Sequence, residues 1–268
     1  MKIGVLGCAG RMGRAIIGEV LGADACSLAG GTEMAGHSAI GRDLGALAGL
    51  DDVGLQAHDD APDLIGKADV VIEFSTPEAT LRHAALAAEL GTAHVIGTTG
   101  LDAEAEAALR ETALRTPIVW AANMSLGVNL LCGLAEQVAG SLGPEAFDIE
   151  IVEMHHRQKI DAPSGTALAL GRAAARGRKV ALEDVSDRGR DGITGARRSG
   201  AIGFAALRGG DVVGDHSVVF AGIGERIELT HKASDRGIYA LCAFHAARWL
   251  QEKPAGLYTM ADVLGLHS

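Results

Sequence analysis

The chain opens with an apolar run, residues 3–6, that passes through Gly7-Cys8-Ala9-Gly10-Arg11-Met12-Gly13 into residues 14–21, where apolar positions fall three and four apart. No other feature constrains the fold as strongly. A strand, a turn with glycines three apart and a helix in immediate succession form the start of a βαβ unit whose helix N-terminus attracts phosphate. Gly7 permits the tight turn, Gly10 lets the backbone approach a pyrophosphate, and Gly13 lets the helix lie close to the strand. A second predicted strand, residues 27–31, is followed by Glu33, placed where a carboxylate accepts hydrogen bonds from adenosine ribose hydroxyls.

The alternation continues with strands at residues 70–74, 94–96 and 118–121 and helices at 78–90 and 103–114. This predicts an α/β fold, a Rossmann-type doubly wound parallel sheet over residues 1–123. After Asn123 the pattern changes to a helix over residues 126–139 and a strand over 147–154, in which Phe147, Ile149 and Ile151 alternate with Asp148 and Glu150. Residues 188–200 read as a mobile loop, and residues 204–208, 212–220 and 226–231 as antiparallel strands joined at Gly209-Gly210 and at 222–224. Residues 124–233 are therefore expected to form a second, α+β domain on an open mixed sheet, for substrate binding and oligomerisation. A last helix, residues 235–250, carries Ile238, Leu241, Cys242, His245 and Trp249 on one side and is expected to return to the first domain, which residues 234–268 complete. The edges of an open sheet favour pairing with a copy of the chain, so a homo-oligomer is expected.

Composition removes several classes of function. A formal net charge of −10 argues against nucleic acid as the partner. Cys8, Cys26, Cys132 and Cys242 are scattered, with no CxxC pair and no Cys/His spacing for a metal, and read as apolar residues in a reducing compartment. No stretch approaches the roughly 18 apolar residues of a membrane span, and none reads as an export signal, so a cytoplasmic protein with no membrane partner is expected.

Two further loops follow the fourth and fifth strands, at the edge where such sheets bind ligands: Gly97-Thr98-Thr99-Gly100 and Ala121-Ala122-Asn123-Met124. Taken singly, each is equally well a plain tight turn. The pair Glu33-Met34 favours NADH, because a carboxylate repels a 2'-phosphate and Met34 brings no positive charge, while Arg11 and Arg14 keep NADPH open.

The segment from Glu153 to Thr166 carries the chemistry. His155, His156, Arg157 and Lys159 gather at the end of a predicted strand, and Pro163-Ser164-Gly165-Thr166 starts a helix with Ser164 as its N-cap. Cations beside a helix N-terminus bind a carboxylate, and Lys159 or a histidine can deliver a proton. Zinc is not expected, because neighbours on a strand point to opposite faces.

These motifs, with Ala121-Ala-Asn-Met-Ser-Leu-Gly-Val-Asn129, Arg208-Gly-Gly-Asp-Val-Val-Gly-Asp-His216 and the run from Gly224 to Ser234, closely resemble the 4-hydroxy-tetrahydrodipicolinate reductase (dihydrodipicolinate reductase) family of lysine biosynthesis. The resemblance covers nearly the whole chain. It implies reduction of the cyclic dicarboxylate (2S,4S)-4-hydroxy-2,3,4,5-tetrahydrodipicolinate to tetrahydrodipicolinate with loss of water, using NADH or NADPH, in a homotetramer. It implies His155 as proton donor and acceptor, Lys159 as proton donor, and His156, Gly165 and Thr166 as substrate contacts. It implies cofactor contacts at Gly7, Cys8, Ala9, Gly10, Arg11, Met12, Glu33, Gly97, Thr98, Thr99, Ala121, Ala122, Asn123 and Met124, and no metal. Met34 departs from the basic residue common at that place in the family, and Met124 stands where phenylalanine is frequent.

Overall fold

The computed structural model describes residues 1–266 and divides into two compact units, Met1–Ser125 with the segment from Gly237 onward, and Leu126–Arg236. His267 and Ser268, the last residues of the expected C-terminal segment, lie outside the described residues. In chain order, the first unit holds β1 (Lys2–Leu6), α1 (Arg11–Leu21), β2 (Ser27–Thr32), α2 (Leu44–Ala48), β3 (Ala57–His58), α3 (Ala61–Lys67), β4 (Val70–Glu73), α4 (Pro77–Leu90), β5 (Ala93–Ile96), α5 (Ala103–Thr112) and β6 (Pro117–Trp120). The second holds α6 (Leu126–Ser141), β7 (Phe147–His155), α7 (Gly165–Gly177), α8 (Leu182–Val185), β8 (Ser186–Asp187), β9 (Ile202–Arg208), β10 (Gly214–Gly222) and β11 (Arg226–Ala233). The chain then returns to the first with α9 (Gly237–Leu250), β12 (Gly256–Tyr258) and α10 (Met260–Val263).

The first unit is a parallel sheet in the order β12-β6-β5-β4-β1-β2-β3, as a doubly wound fold requires. The order reverses between β1 and β4, so the C-terminal ends of these strands flank the switch point where such sheets bind ligands. Strands β4 and β5 are buried at every residue, so apart from Glu73 and His94 they are apolar rather than alternating. The sequence spacing did not reveal α2, β3, α3, β12 or α10, which are short and held by neighbours rather than by their own periodicity.

Helix α9 packs on β4, β5 and β6, but not with the expected face. Ala240, Cys242, Ala243, Phe244, Ala247 and Leu250 are buried, so of the expected side only Cys242 is fully inside, while Ile238 and Trp249 are half-buried, Leu241 is 53% exposed and His245 faces solvent. The physical reason is close approach. A stripe of alanines brings the helix axis nearer the sheet than a stripe of large side chains allows, so bulk was the wrong guide to its inner face.

The second unit carries a mixed sheet in the order β11-β10-β7-β9-β8. The expected hairpin at Gly209-Gly210 does not form, because β7 lies between the two strands, parallel to β9 and antiparallel to β10. Ile151 thus stands beside both Phe204 and Val218. A parallel pair needs a crossover, and α7 and α8 provide it. The hairpin from β10 to β11 forms as expected, closed by Gly222 N donating to Glu225 O at 2.9 Å. Residues 188–200, expected to be mobile, are tied down: Arg190 grips Glu150 through both terminal nitrogens, and Arg197 reaches Asp148, Glu150 and the carbonyls of Ile149 and Ala201.

Helices α6 and α7 cover one face of this sheet, packing Leu131, Ala135, Ala139, Leu170 and Ala174 over Ile149, Ile151, Ile202, Val218 and Phe220. They approach so closely that a Cβ on Gly177 would meet the Glu136 carbonyl oxygen at 2.2 Å. Gly177→Ala is accordingly expected to destabilise the fold by about 1–3 kcal/mol, read as a lower urea midpoint. Gly18→Ala is the control, since a Cβ there meets nothing within 4 Å and helix propensity favours it by up to about 1 kcal/mol.

Candidate active site

At the C-terminal edge of the first unit's sheet, the glycine turn is folded by its own backbone. Gly7 N and Cys8 N donate to Thr32 O at 2.9 and 3.0 Å, and Gly10 N donates to Gly7 O at 3.1 Å. Gly7 has φ +75°, and a Cβ on Gly13 would sit 2.2 Å from Gly7 O, so only glycine lets α1 start this close to β1. Helices α2, α3, α4 and α5 are capped by Asp43, Asp60, Thr76 and Asp102, but Gly10 gives α1 no side-chain cap and its first turn has no acid. The N–H groups of Arg11 and Met12 therefore have no intrahelical acceptor and no acid within their own turn of helix, the condition of an anion cradle. A pyrophosphate fits it. Glu33 accepts a hydrogen bond from Ala9 N at 2.8 Å, which sets its carboxylate at the mouth of the turn, with Met34 74% exposed beside it. Arg14 Nε donates to Ala9 O at 2.8 Å, and Arg11 is exposed.

The other two loops lie along the same edge. Gly97 N donates to Glu73 O at 2.8 Å, and a Cβ on Gly97 would strike the Phe74 ring at 2.1 Å. Thr98 is buried, whereas Thr99 and Ala122 face solvent. Ser125 N donates to Asn123 Oδ1 at 2.9 Å, and Ala121 N to Ile96 O at 3.2 Å. Met124 is buried, an apolar packing position that suits either methionine or phenylalanine. Burial and Glu33 push the Cys8 thiol up to about 12, and burial pushes that of Cys132 up to about 11, so neither is a thiolate at neutral pH.

In the second unit, β7 turns Ile149, Ile151, Glu153 and His155 to one buried face. The first two join the apolar core; the last two begin a polar rim. The register sets Glu153 beside His216 of β10 and His155 beside Arg208 of β9. Glu153, 1% exposed, receives Arg208 through both terminal nitrogens at 2.8 Å each, Ser164 N at 3.1 Å and His155 Nδ1 at 2.5 Å. Burial opposes its ionisation, but these donors, Arg208 foremost, hold the carboxyl below its usual range.

With Nδ1 committed to Glu153, a neutral His155 carries its proton there and leaves Nε2 as a proton acceptor. Burial lowers its pKa despite the adjacent carboxylate, so the ring is neutral at pH 7. His216 stacks edge-on against it at 5.0 Å, meets Ser164 Oγ through Nε2 at 3.1 Å, and is pushed by burial down to about 4. Ser164 is the N-cap of α7, accepting Ala167 N at 3.1 Å, as its sequence position requires. Gly165 and Thr166 form the first turn of α7, where the helix dipole is positive. Lys159 Nζ donates to Asp161 Oδ1 at 2.7 Å, and His156 Nε2 lies 3.3 Å from an Arg236 nitrogen.

His155, His156, Lys159, Gly165 and Thr166 thus lie along the segment that links the end of β7 to the start of α7. Arg157 does not join the network; it is exposed, and Arg208 supplies the guanidinium instead. Sequence reasoning gave no role to Glu153, Arg208 or His216. Glu153 was recoverable, because two residues before His155 on a strand is the same face. The other two come from strands whose neighbours only the sheet order reveals. Among the described residues no group of three His, Cys, Asp or Glu is placed to hold a metal, and no helix is long and apolar enough to cross a membrane.

The family described as Dihydrodipicolinate reductase, N-terminus, matches residues 1–124, and Dihydrodipicolinate reductase, C-terminus, matches residues 127–264. A 4-hydroxy-tetrahydrodipicolinate reductase of Parvibaculum lavamentivorans is 59% identical over 99% of this chain and 98% of its own length. One from Brucella abortus is 51% identical over the whole of both chains. Among solved structures, a dipicolinate-bound dihydrodipicolinate reductase from Paenisporosarcina sp. TG-14 superposes with a TM-score of 0.79 at 24% identity, covering 98% of each chain, which establishes the likeness of fold.

The neutral histidines set the pH response of the fold. His216 has a folded-state pKa of about 4 against an ordinary 6.5, so between those values the unfolded chain binds more protons and stability rises with pH. Stability is expected to fall as pH drops from about 6.5 towards 4, by up to about 3 kcal/mol from His216. His155, shifted the same way, adds to the fall. Glu153 and Glu73, whose pKa values are depressed, contribute their loss only below the ordinary 4.5. Urea titrations across this range check it: His216→Asn flattens the upper window, and an unchanged slope in that variant refutes the assignment.

Proposed function

The chain belongs to the dihydrodipicolinate reductase family, and on that premise we propose that it reduces 4-hydroxy-tetrahydrodipicolinate to tetrahydrodipicolinate with a nicotinamide nucleotide and loss of water, in the diaminopimelate route to lysine. The observation that carries the reading for this chain is the polar rim of β7, a neutral histidine locked by Glu153 next to Lys159 and a helix N-terminus. The first unit binds the nucleotide; the second binds the substrate, supplies its protons and forms the oligomer.

Loss of the 4-hydroxyl with a neighbouring ring hydrogen, as water, leaves a conjugated ring, to which the reduced nicotinamide, when bound, would supply a hydride. Electron density then moves toward the ring nitrogen, and the protein must deliver a proton as charge develops. Lys159, held by Asp161, is the proton donor, and His155 takes a proton at Nε2 and can then pass it on. One substrate carboxylate is received by Gly165 and Thr166 in the first turn of α7, with His156 beside them. Gly7 to Met12 would hold the pyrophosphate of the nucleotide, Glu33 its ribose, and Gly97 to Thr99 with Ala121 to Met124 the nicotinamide end.

NADH is the favoured cofactor, because Glu33 faces the ribose position and Met34 adds no charge; Arg11 and Arg14 leave NADPH as a second donor. The open edges of the second unit's sheet support a homotetramer assembled through it. Cys8, Cys26, Cys132 and Cys242 form no disulfide with one another, which fits a cytoplasmic enzyme.

The test is the initial rate of NADH and NADPH oxidation, with the substrate generated in situ from pyruvate and aspartate semialdehyde. Lys159→Ala is expected to lower kcat by about 100-fold or more while nucleotide affinity stays within about twofold. Equal losses of both would count against a proton-donor role. Met34→Arg is expected to raise kcat/KM for NADPH roughly tenfold with little gain for NADH, by pairing with the 2'-phosphate.

A further inference from the structure

Beneath the Gly97-Thr98-Thr99 loop lies a second buried carboxylate to which the reaction assigns no role. Glu73 ends the apolar run Val70-Val71-Ile72 of β4 and is 0% exposed. His83 of α4 lies 2.7 Å from Oε1 through Nδ1, and Ser75 Oγ donates to the same oxygen. His94 of β5 brings Nε2 to 2.9 Å from Oε2, at ion-pair distance but out of line for a hydrogen bond. Burial opposes ionisation of Glu73, yet the two histidines prevail and hold the carboxyl at about 2. A charged group at the end of a buried parallel strand is costly, and an apolar residue there would pack at no such cost.

What the charge holds is a chain of contacts leading to the loop. Ser75, fixed by Glu73 through its hydroxyl, donates its backbone N–H to Thr98 Oγ1 at 3.0 Å. Thr80 of α4 donates to the same oxygen at 2.9 Å, and Trp120 Nε1 donates to Thr98 O at 3.2 Å. Every polar atom of Thr98 named here is turned into the protein, and the neighbouring Thr99 is exposed. We infer that Glu73 is a positioning residue for nucleotide binding: through Ser75 it fixes Thr98, and so the conformation of the loop that receives the nicotinamide end. The inference rests on the reading of the first unit as the nucleotide-binding one.

The readout is the nucleotide KM and directly measured nucleotide affinity, set against the KM for the dicarboxylate, in Ser75→Ala, Glu73→Gln and the double variant. Ser75→Ala is the informative substitution, since it removes the hydroxyl link and leaves the buried His83-Glu73 pair in place. Expected are a roughly tenfold weaker nucleotide affinity in each single variant, a dicarboxylate KM within about twofold of wild type, and a double variant no worse than Glu73→Gln alone. If Ser75→Ala binds nucleotide like wild type, or if both KM values rise together, Glu73 serves only to hold the fold and the inference is overturned. A wild-type protein that binds no nicotinamide nucleotide overturns the inference together with the reading beneath it.

Discussion

Glu153 is buried and charged, a state that persists only because Arg208, Ser164 and His155 between them aim four donors at its two oxygens. Breaking such a pair by removing one partner costs about 3–5 kcal/mol, so each donor is held in place as firmly as the carboxylate itself. The consequences run outward. Arg208 pins the end of β9 to β7, Ser164 fixes where α7 begins, and the ring of His155 is held in one orientation and one tautomer. The polar rim is an extension of the sheet's packing, not a set of residues added to it.

The first unit repeats this construction with different partners. Glu73 also ends a strand whose other residues are apolar, and it too is kept ionised against burial, here by His83 and His94. In both units the polar group stands at the C-terminal end of a strand, where the backbone leaves the sheet and loops begin. That is where a sheet can change from core to site within two residues, because the side-chain period of a strand carries the same inward face from an apolar position to a charged one.

The motifs were legible because each is local. The glycine turn, the Ser164 cap and the alternation of β7 depend on spacing within a dozen residues, and all three are present. Misreadings arose where a neighbour came from elsewhere in the chain. Gly209-Gly210 looked like a hairpin turn until β7 was found between the strands it joins. The inner face of α9 is set by how near its alanines let it approach the sheet, which no count of large side chains conveys. Arg157 lies next to the histidines in sequence, yet Arg208 reaches the buried carboxylate.

The sequence by itself determined that this chain has a βαβ start with glycines three apart at its helix N-terminus, a parallel α/β first half, and a cationic segment leading from a strand to a helix. Those properties follow from periodicity, glycine sterics and helix polarity, which act between residues close in the chain. Tertiary structure alone decided that Arg208 and His216 meet Glu153 and His155, that Glu73 joins His83 and His94, and that Ser75 carries that contact to Thr98. Strand order makes these residues neighbours, and strand order is set by which apolar faces pack best together across the whole sheet, a sum over long-range contacts that no single segment encodes.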